Sequence, residues 1–174
     1  MLIILPLLGA ITAYVPSNEI PFQLWSADPL IKIFPDTPPE KSDIIEIRCA
    51  RNEYQSAQFA ITAQKQLDEV TIEIESLSHE SGYIFPPENV TWNFVGYVPL
   101  KQNTYHTPDY ELVRKAPADF PDPLIEDRSI KIDSGKTQPV WINVYVPDDV
   151  PSGKYSGKVI VKTSEGDQSI KLSM

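Results

Sequence analysis

Neighbouring carboxylates occur at Asp68-Glu69, Glu126-Asp127 and Asp148-Asp149, and two carboxyl groups flanking an acetal are enough to hydrolyse it by acid–base chemistry. Each pair sits at an expected strand end or turn, where Asp and Glu ordinarily make turns and meet solvent. No catalytic role is assigned to them. His79 and His106 are the two histidines. Neither forms a metal-ligand spacing such as H-x-x-x-H or lies beside a second soft ligand, and both are expected in solvent-exposed structural positions. Cys49 is the single cysteine, so no intrachain disulfide forms. It follows Ile45 and Ile47 at period two within Ile44–Ala50, the pattern of a buried structural thiol, and the basic neighbour a nucleophile needs is not indicated. The sequence holds no G-x-S-x-G elbow, P-loop or G-x-G-x-x-G, the commonest hydrolase and nucleotide signatures. The expectation is therefore no catalytic residue, no cofactor and no metal within this chain.

Aromatic side chains are the remaining candidates for chemistry. Trp25, Trp92 and Trp141, with Tyr97 and Tyr145, have the ring faces on which the apolar CH groups of a pyranose pack. Trp92 shares a face with Phe94, which is a core pattern. Trp141 and Tyr145 lie opposite Val140, Ile142, Val144 and Val146, so their strand is apolar on both faces. A cover is expected on each, on the reverse side from another domain or a ligand.

The elements that must position these groups are strands. Period-two alternation, one face dry and one wet, marks Ile31–Phe34, Glu53–Ala63, the Val70–Glu75 stretch, Val90–Val98, Val140–Val146, Tyr155–Thr163 and Ser169–Met174. Ser164-Glu165-Gly166-Asp167 reads as a hairpin loop between the last two. No comparable window shows helical spacing with caps. The expected fold is all-β, an antiparallel two-sheet sandwich of immunoglobulin or jelly-roll type, with Ile47, Phe59, Ile72, Trp92, Ile142, Val144 and Val159 in its core. Seventeen prolines against seven glycines suit short strands joined by stiff loops. The Pro- and Asp-rich stretch Pro99–Asp127 has little periodicity and is expected to be a long loop, of the kind that is functional or held by a neighbour.

Length and charge narrow the function. The 174 residues, 41% hydrophobic and 22% charged, are enough for one well-buried core. A formal net charge of −9, with no basic cluster to offset it, makes nucleic acid and anionic membranes unsuitable partners. Leu2–Ala13 is apolar with small residues at Gly9, Ala10 and Ala13. It resembles the hydrophobic region and cleavage site of an export signal and is too short to span a bilayer as a helix. The expected organisation is a signal peptide at 1–13 and a sandwich at 14–174, exported to the periplasm, cell surface or medium, with no membrane insertion after signal removal. Ile170, Leu172 and Met174 still alternate at the last residues, the pattern of a fragment of a longer protein.

Several stretches together resemble one family. They are Asp28-Pro29-Leu30 to Ile33-Phe34-Pro35-Asp36, Ala50-Arg51-Asn52-Glu53-Tyr54-Gln55-Ser56-Ala57-Gln58-Phe59, and Phe120-Pro121-Asp122-Pro123-Leu124. With them go Trp141 to Pro147 and Pro151-Ser152-Gly153-Lys154-Tyr155-Ser156-Gly157. The chain resembles the N-terminal β-sandwich domain of glycoside hydrolase family 123 and related bacterial proteins. On that resemblance Arg51-Asn52-Glu53 is a tight connection between two paired strands, and Gly153 and Gly157 bracket a strand entry.

The resemblance implies a catalytic barrel beyond Met174 that acts on N-acetylated glycosides. There a neighbouring Asp-Glu pair assists the 2-acetamido group of N-acetyl-β-galactosaminides. Asp68-Glu69 has the same letters but falls in the sandwich, so no role carries over. This chain is then a non-catalytic accessory domain partnered by that barrel. The alternatives are an independent carbohydrate-binding module or a surface adhesion sandwich. The residues expected at the domain interface or in contact with sugar are Phe120, Asp122 and Leu124 of the long loop, with Trp141 and Tyr145 on the reverse face of their strand.

Overall fold

The computed structural model describes residues 20–174; the apolar segment Leu2–Ala13 lies outside them. Two sheets pack face to face, joined by loops and two single-turn 3-10 segments at Pro87–Asn89 and Asp109–Glu111. The first sheet holds β1 (Phe22–Ala27), β3 (Glu53–Ala63), β9 (Thr137–Val146), β6 (Val90–Leu100) and β7 (Ala118–Ile125), side by side in that order and all antiparallel. The second holds β2 (Ile44–Glu46), β11 (Gln168–Ser173), β10 (Tyr155–Lys162), β4 (Leu67–Ile74) and β8 (Ser129–Ile132), with β5 (Ser78–His79) also on β10. Every pair is antiparallel except β2 on β11, where Ile45 lies beside Leu172 in parallel register. The all-β sandwich expected from the alternation is the observed fold.

Registration explains the core. Phe59 pairs with Val140 and Val140 with Phe94, while Ala57, Ile142 and Trp92 form the next row. These inward residues meet Val70, Ile72, Val159, Val161, Ile170 and Leu172 from the second sheet in one apolar cluster. Of the expected core, Ile47, Phe59, Ile72, Ile142, Val144 and Val159 are buried, and Trp92 is partly buried with its ring edge-on to Phe94 at 5.2 Å.

The Pro-rich stretch is not a continuous loop. Residues 118–125 form β7, which pairs with β6. Its prolines are tolerated because β7 is the sheet edge, where outward positions need no backbone donor. A register shift opposite Val95 and Tyr97 breaks the alternation that would have revealed it. Gly96 sits there because a Cβ would stand 2.9 Å from Ile125 Cγ2 and 3.0 Å from Pro123 Cγ.

Three further expectations change. Ile31–Phe34 is not a strand: the Ile31 amide bonds back to Asp28, Thr37 to Phe34, and Asp28 Oδ1 accepts the Leu30 amide, giving consecutive turns. The strand at 44–50 stops at Glu46, leaving Cys49 half-buried and packed beside the core. Burial first, and then the Glu53 carboxylate, push its thiol above the usual value. Arg51-Asn52-Glu53 does not join paired strands, since β2 and β3 belong to different sheets. The turn carries the chain across the sandwich, with Asn52 at φ 59° and the Ala50 amide donating to Glu53 Oε2 at 2.5 Å.

The Pro151-to-Gly157 stretch behaves as a corner. Tyr155 is buried and its hydroxyl donates to the Pro151 carbonyl at 2.7 Å, a tie between a strand start and the chain just upstream. His79 stacks on its ring at 4.9 Å, so this histidine is partly buried rather than exposed. Gly153, at φ 144°, leaves that space: a Cβ would stand 2.2 Å from His79 Nε2. His106 is exposed.

Phe59 is fully buried in a central strand of the first sheet. Phe59→Ala is expected to destabilise the chain by about 3–5 kcal/mol, read from the urea unfolding midpoint at unchanged slope.

Candidate functional site

The outer faces of the two sheets have opposite chemistry. That of the second carries Glu73, Lys158, Lys162, Lys171 and Lys131, with Glu73 paired to Lys162 and Lys131 3.9 Å from Asp68. It is a solvated face. The outer face of the first is built from Gln23, Trp25 and Ala27 of β1, Tyr54, Ser56, Gln58, Ala60 and Thr62 of β3, and Thr137, Pro139, Trp141, Asn143 and Tyr145 of β9. Thr91, Asn93, Val95 and Tyr97 of β6 continue it, and Asp119, Pro121 and Leu124 of the edge strand β7 complete it. On β1, β3, β9 and β6 none of them is Asp, Glu, Lys or Arg, and Asp119 at the edge is the exception.

One half of this face is covered by the chain itself. The strap of residues 28–37 crosses it, burying Ile33 against Trp25 and Ala60. Gln58, only 4% exposed, donates its amide to the carbonyls of Asp28 at 2.5 Å and Ile31 at 2.7 Å. At the strap's far end Thr137 Oγ1 donates to the Thr37 carbonyl. Its single hydrogen is thereby used, so Thr62 Oγ1 donates to it at 2.9 Å and accepts in turn from Trp25 Nε1. The Tyr97 hydroxyl donates to the Thr137 carbonyl at 2.8 Å, and burial, followed by Asp36 and Asp119, pushes it well above the ordinary phenol value. Polar groups under the strap are thus paired rather than poised for proton transfer.

Between the strap and β7 lies a cleft of about 360 Å³ with Trp141, Pro139, Gln58 and Val95 among its lining residues. Lys32 bridges strap and β7, its Nζ 2.8 Å from the Pro121 carbonyl and 3.5 Å from Asp122 Oδ1. The lining also includes Leu30, Ile31 and Leu124, which are 91%, 53% and 45% exposed. Three of the residues singled out from sequence, Asp122, Leu124 and Trp141, therefore meet in one cleft. Phe120 does not join them. It packs edge-on against Phe34 at 5.3 Å, with the Arg114 guanidinium 3.8 Å above the other ring, and so stabilises the strap from within. Tyr145 stands farther along β9, stacked on Tyr54 at 4.7 Å. Leu30, Ile31 and Tyr54 were not singled out by sequence as site residues. Their signal was an apolar residue in a turn or at a strand start, common enough to carry no weight alone.

Asp68-Glu69, Glu126-Asp127 and Asp148-Asp149 are all exposed and lie apart from the cleft. Among the described residues no group of three His, Cys, Asp or Glu is placed to hold a metal ion.

The family profile described as the glycoside hydrolase 123 N-terminal domain matches residues 32–163. The chain belongs to that family. Its fold is similar to part of a family 123 glycoside hydrolase from Clostridium perfringens, in a study describing glycolipid glycan hydrolysis. The TM-score is 0.72 at 13% identity, over 88% of this chain and 27% of that one. The chain thus spans about a quarter of that enzyme's length. Lower similarity is found to a FixG-related protein from Vibrio parahaemolyticus, with TM-score 0.39, 9% identity, and 90% and 94% of the two chains covered. The CooA pilin subunit from enterotoxigenic Escherichia coli follows at TM-score 0.35, 13% identity, 86% and 94%. No curated protein matches the sequence. In this glycoside hydrolase 123 N-terminal domain, Leu30, Ile31 and Leu124 form an exposed apolar rim at the Trp141 cleft.

The strap's far end makes an acid-sensitive contact. The hydrogen bond from Arg114 holds the Asp36 carboxyl below its ordinary value. A lowered folded-state value means the contribution is present above the unfolded carboxyl value and is lost as pH falls through the folded one. The stability gap between wild type and Asp36→Asn, from urea titrations, is expected to be constant near neutrality and to close on acidification.

Proposed function

We propose that this chain is a non-catalytic accessory domain of an exported glycoside hydrolase 123 family protein, packing on a catalytic barrel in the same polypeptide that acts on N-acetylated glycosides. The observation that carries this reading is the outer face of the first sheet, without charged side chains on β1, β3, β9 and β6, with Leu30, Ile31 and Leu124 held exposed at the Trp141 cleft beside the Lys32–Asp122 pair. Interface centres are depleted in charge and enriched in aromatic residues, and a contiguous exposed apolar rim marks an interaction site. The strap fixes that rim before any partner arrives, so little ordering cost is left for docking. Burial of the three aliphatic side chains contributes about 25 cal/mol per Å² of apolar area removed from water. Phe120, already engaged by Phe34, serves this surface by stabilising the strap. The membership of a family named for its N-terminal position, and the small share of the Clostridium perfringens chain that is matched, support the presence of a larger partner.

Two measurements test the reading. The purified chain is expected to release no nitrophenol from an aryl N-acetyl-β-galactosaminide, and release surviving a mock-purification control would make it an enzyme in its own right. In the full-length family protein, Leu30→Asp with Leu124→Asp is expected to free the domain. Calorimetry would then show a separate unfolding transition in place of a joint one, with the isolated variant chain as stable as its parent. A joint transition that survives both charges places the contact elsewhere.

A further inference from the structure

We propose that the uncovered end of the first sheet's outer face, built on Tyr54, Tyr145 and Asn143 and bounded by Trp141, which it shares with the docking cleft, is a binding site for uncharged carbohydrate. Four observations converge on it.

The first is a solvent-facing aromatic shelf. Tyr54 and Tyr145 are register partners on β3 and β9, their rings 4.7 Å apart and tilted by 32°. Tyr54 is 75% exposed, and its hydroxyl has no hydrogen-bond partner among the described residues, whereas the Tyr145 hydroxyl is turned to Asn52 Oδ1 at 3.3 Å. A large aromatic face held by a second ring yet left in water is what the CH face of a sugar stacks on.

The second is a fixed donor beside that shelf. Asn143 Oδ1 accepts from Ser56 Oγ at 2.6 Å and from Trp141 Nε1 at 3.1 Å. The indole N–H can only donate and so must face the amide oxygen, which sets the orientation of the amide. Its Nδ2 then carries two N–H groups with no acceptor among the described residues. The Thr91 hydroxyl, opposite Asn143 on β6, is likewise unengaged.

The third is spacing. Trp141 and Tyr145 flank Asn143 on the same side of β9, each about 7 Å from it along the strand. A donor amide between two ring systems matches a ligand that is flat, hydroxylated and more than one ring long.

The fourth is charge. On this outward side the sheet carries no carboxyl, ammonium or guanidinium, the neighbouring Glu53 being engaged by the Ala50 amide, in a chain of net charge −9 with 22% charged residues. A surface recognising phosphate, sulfate or sialyl groups would carry Arg or Lys at its centre. Neutral hexose or N-acetylhexosamine units fit, and acidic glycans do not. Its Tyr54 shelf lies about 13 Å along β3 from Gln58 at the cleft, with Trp141 between the two surfaces, so it does not require the docking reading to hold.

The test uses the 174-residue chain, an array of neutral and sialylated glycans, and calorimetric titration of the best neutral oligosaccharide. Binding to neutral glycans is expected in the millimolar to micromolar range. Tyr54→Ala and Asn143→Asp should each weaken it tenfold or more, Asn143→Asp by replacing the amide donors with a carboxylate of the same shape. Tyr54→Phe, which keeps the ring, should bind as the parent does. Unchanged unfolding midpoints establish that the variants remain folded. No neutral glycan bound at millimolar concentration, binding confined to sialylated glycans, or equal affinity in Tyr54→Ala and its parent would each overturn the proposal. Loss of binding in Leu124→Asp but not Tyr54→Ala would place the ligand in the cleft and also overturn it.

Discussion

A strand buried on both faces constrains the rest of this molecule. Strand β3 meets the core through Ala57, Phe59 and Ile61, and on its other side Gln58 and Ala60 are buried too. An amide in that position is costly unless both its hydrogens are used. The strap supplies the two carbonyls, from Asp28 and Ile31. One glutamine thus turns a two-layer sandwich into a locally three-layered one. From that follow the place of Ile33, the closure of the Thr62–Thr137–Thr37 relay and the wall of the cleft. The contacts between Phe34, Phe120 and Arg114 repeat the arrangement at the far end, where an aromatic pair and a cation hold strap to edge strand. The Arg114–Asp36 pair is exposed enough that its Coulomb energy alone is small; its value lies in fixing where the strap turns back.

Much of the sandwich was legible because one face of each strand is dry. Glu53–Ala63 has the same bounds in sequence and structure, and the turn at 164–167 falls where Gly166 and its polar neighbours predict it. What misled was local chemistry that alternation cannot express. Strand β7 hides behind two prolines and a register shift, both affordable only at a sheet edge. Ile31–Phe34 has strand-like residues but a backbone committed to turns by Asp28 and Thr37. Cys49 kept its apolar spacing while the strand beneath it ended three residues earlier. The candidate site was half visible. Trp141, Asp122 and Leu124 were recognised separately, yet nothing in the linear pattern says that β7 returns beside β9's neighbour to bring them together.

The contrast between the two outer faces bears on how such a domain stays soluble. On the second sheet, lysines and glutamates keep the surface hydrated, and the Lys162–Glu73 contact raises the lysine above its usual value through that hydrogen bond and its charge. On the first sheet, solubility rests on neutral hydroxyls and amides spread among the rings, and on the strap hiding the most apolar patch. A face of that kind tolerates close approach by another surface without stranding a charge, which a lysine-rich face does not.

The parallel pairing of β2 with β11 has a consequence for how the chain acquires its structure. Ile44–Glu46 and Lys171–Ser173 come from opposite ends of the described sequence, yet they lie in hydrogen-bonding contact, with the Ile47 amide donating to the Ser173 carbonyl at 2.8 Å. Contacts so distant along the chain require a large loop to close before they are formed, which slows folding. On the ribosome, β2 has no sheet to join until β11 has emerged, and β10 waits with one edge unpaired over the same interval. The second sheet is completed only by the last of its own strands to be made.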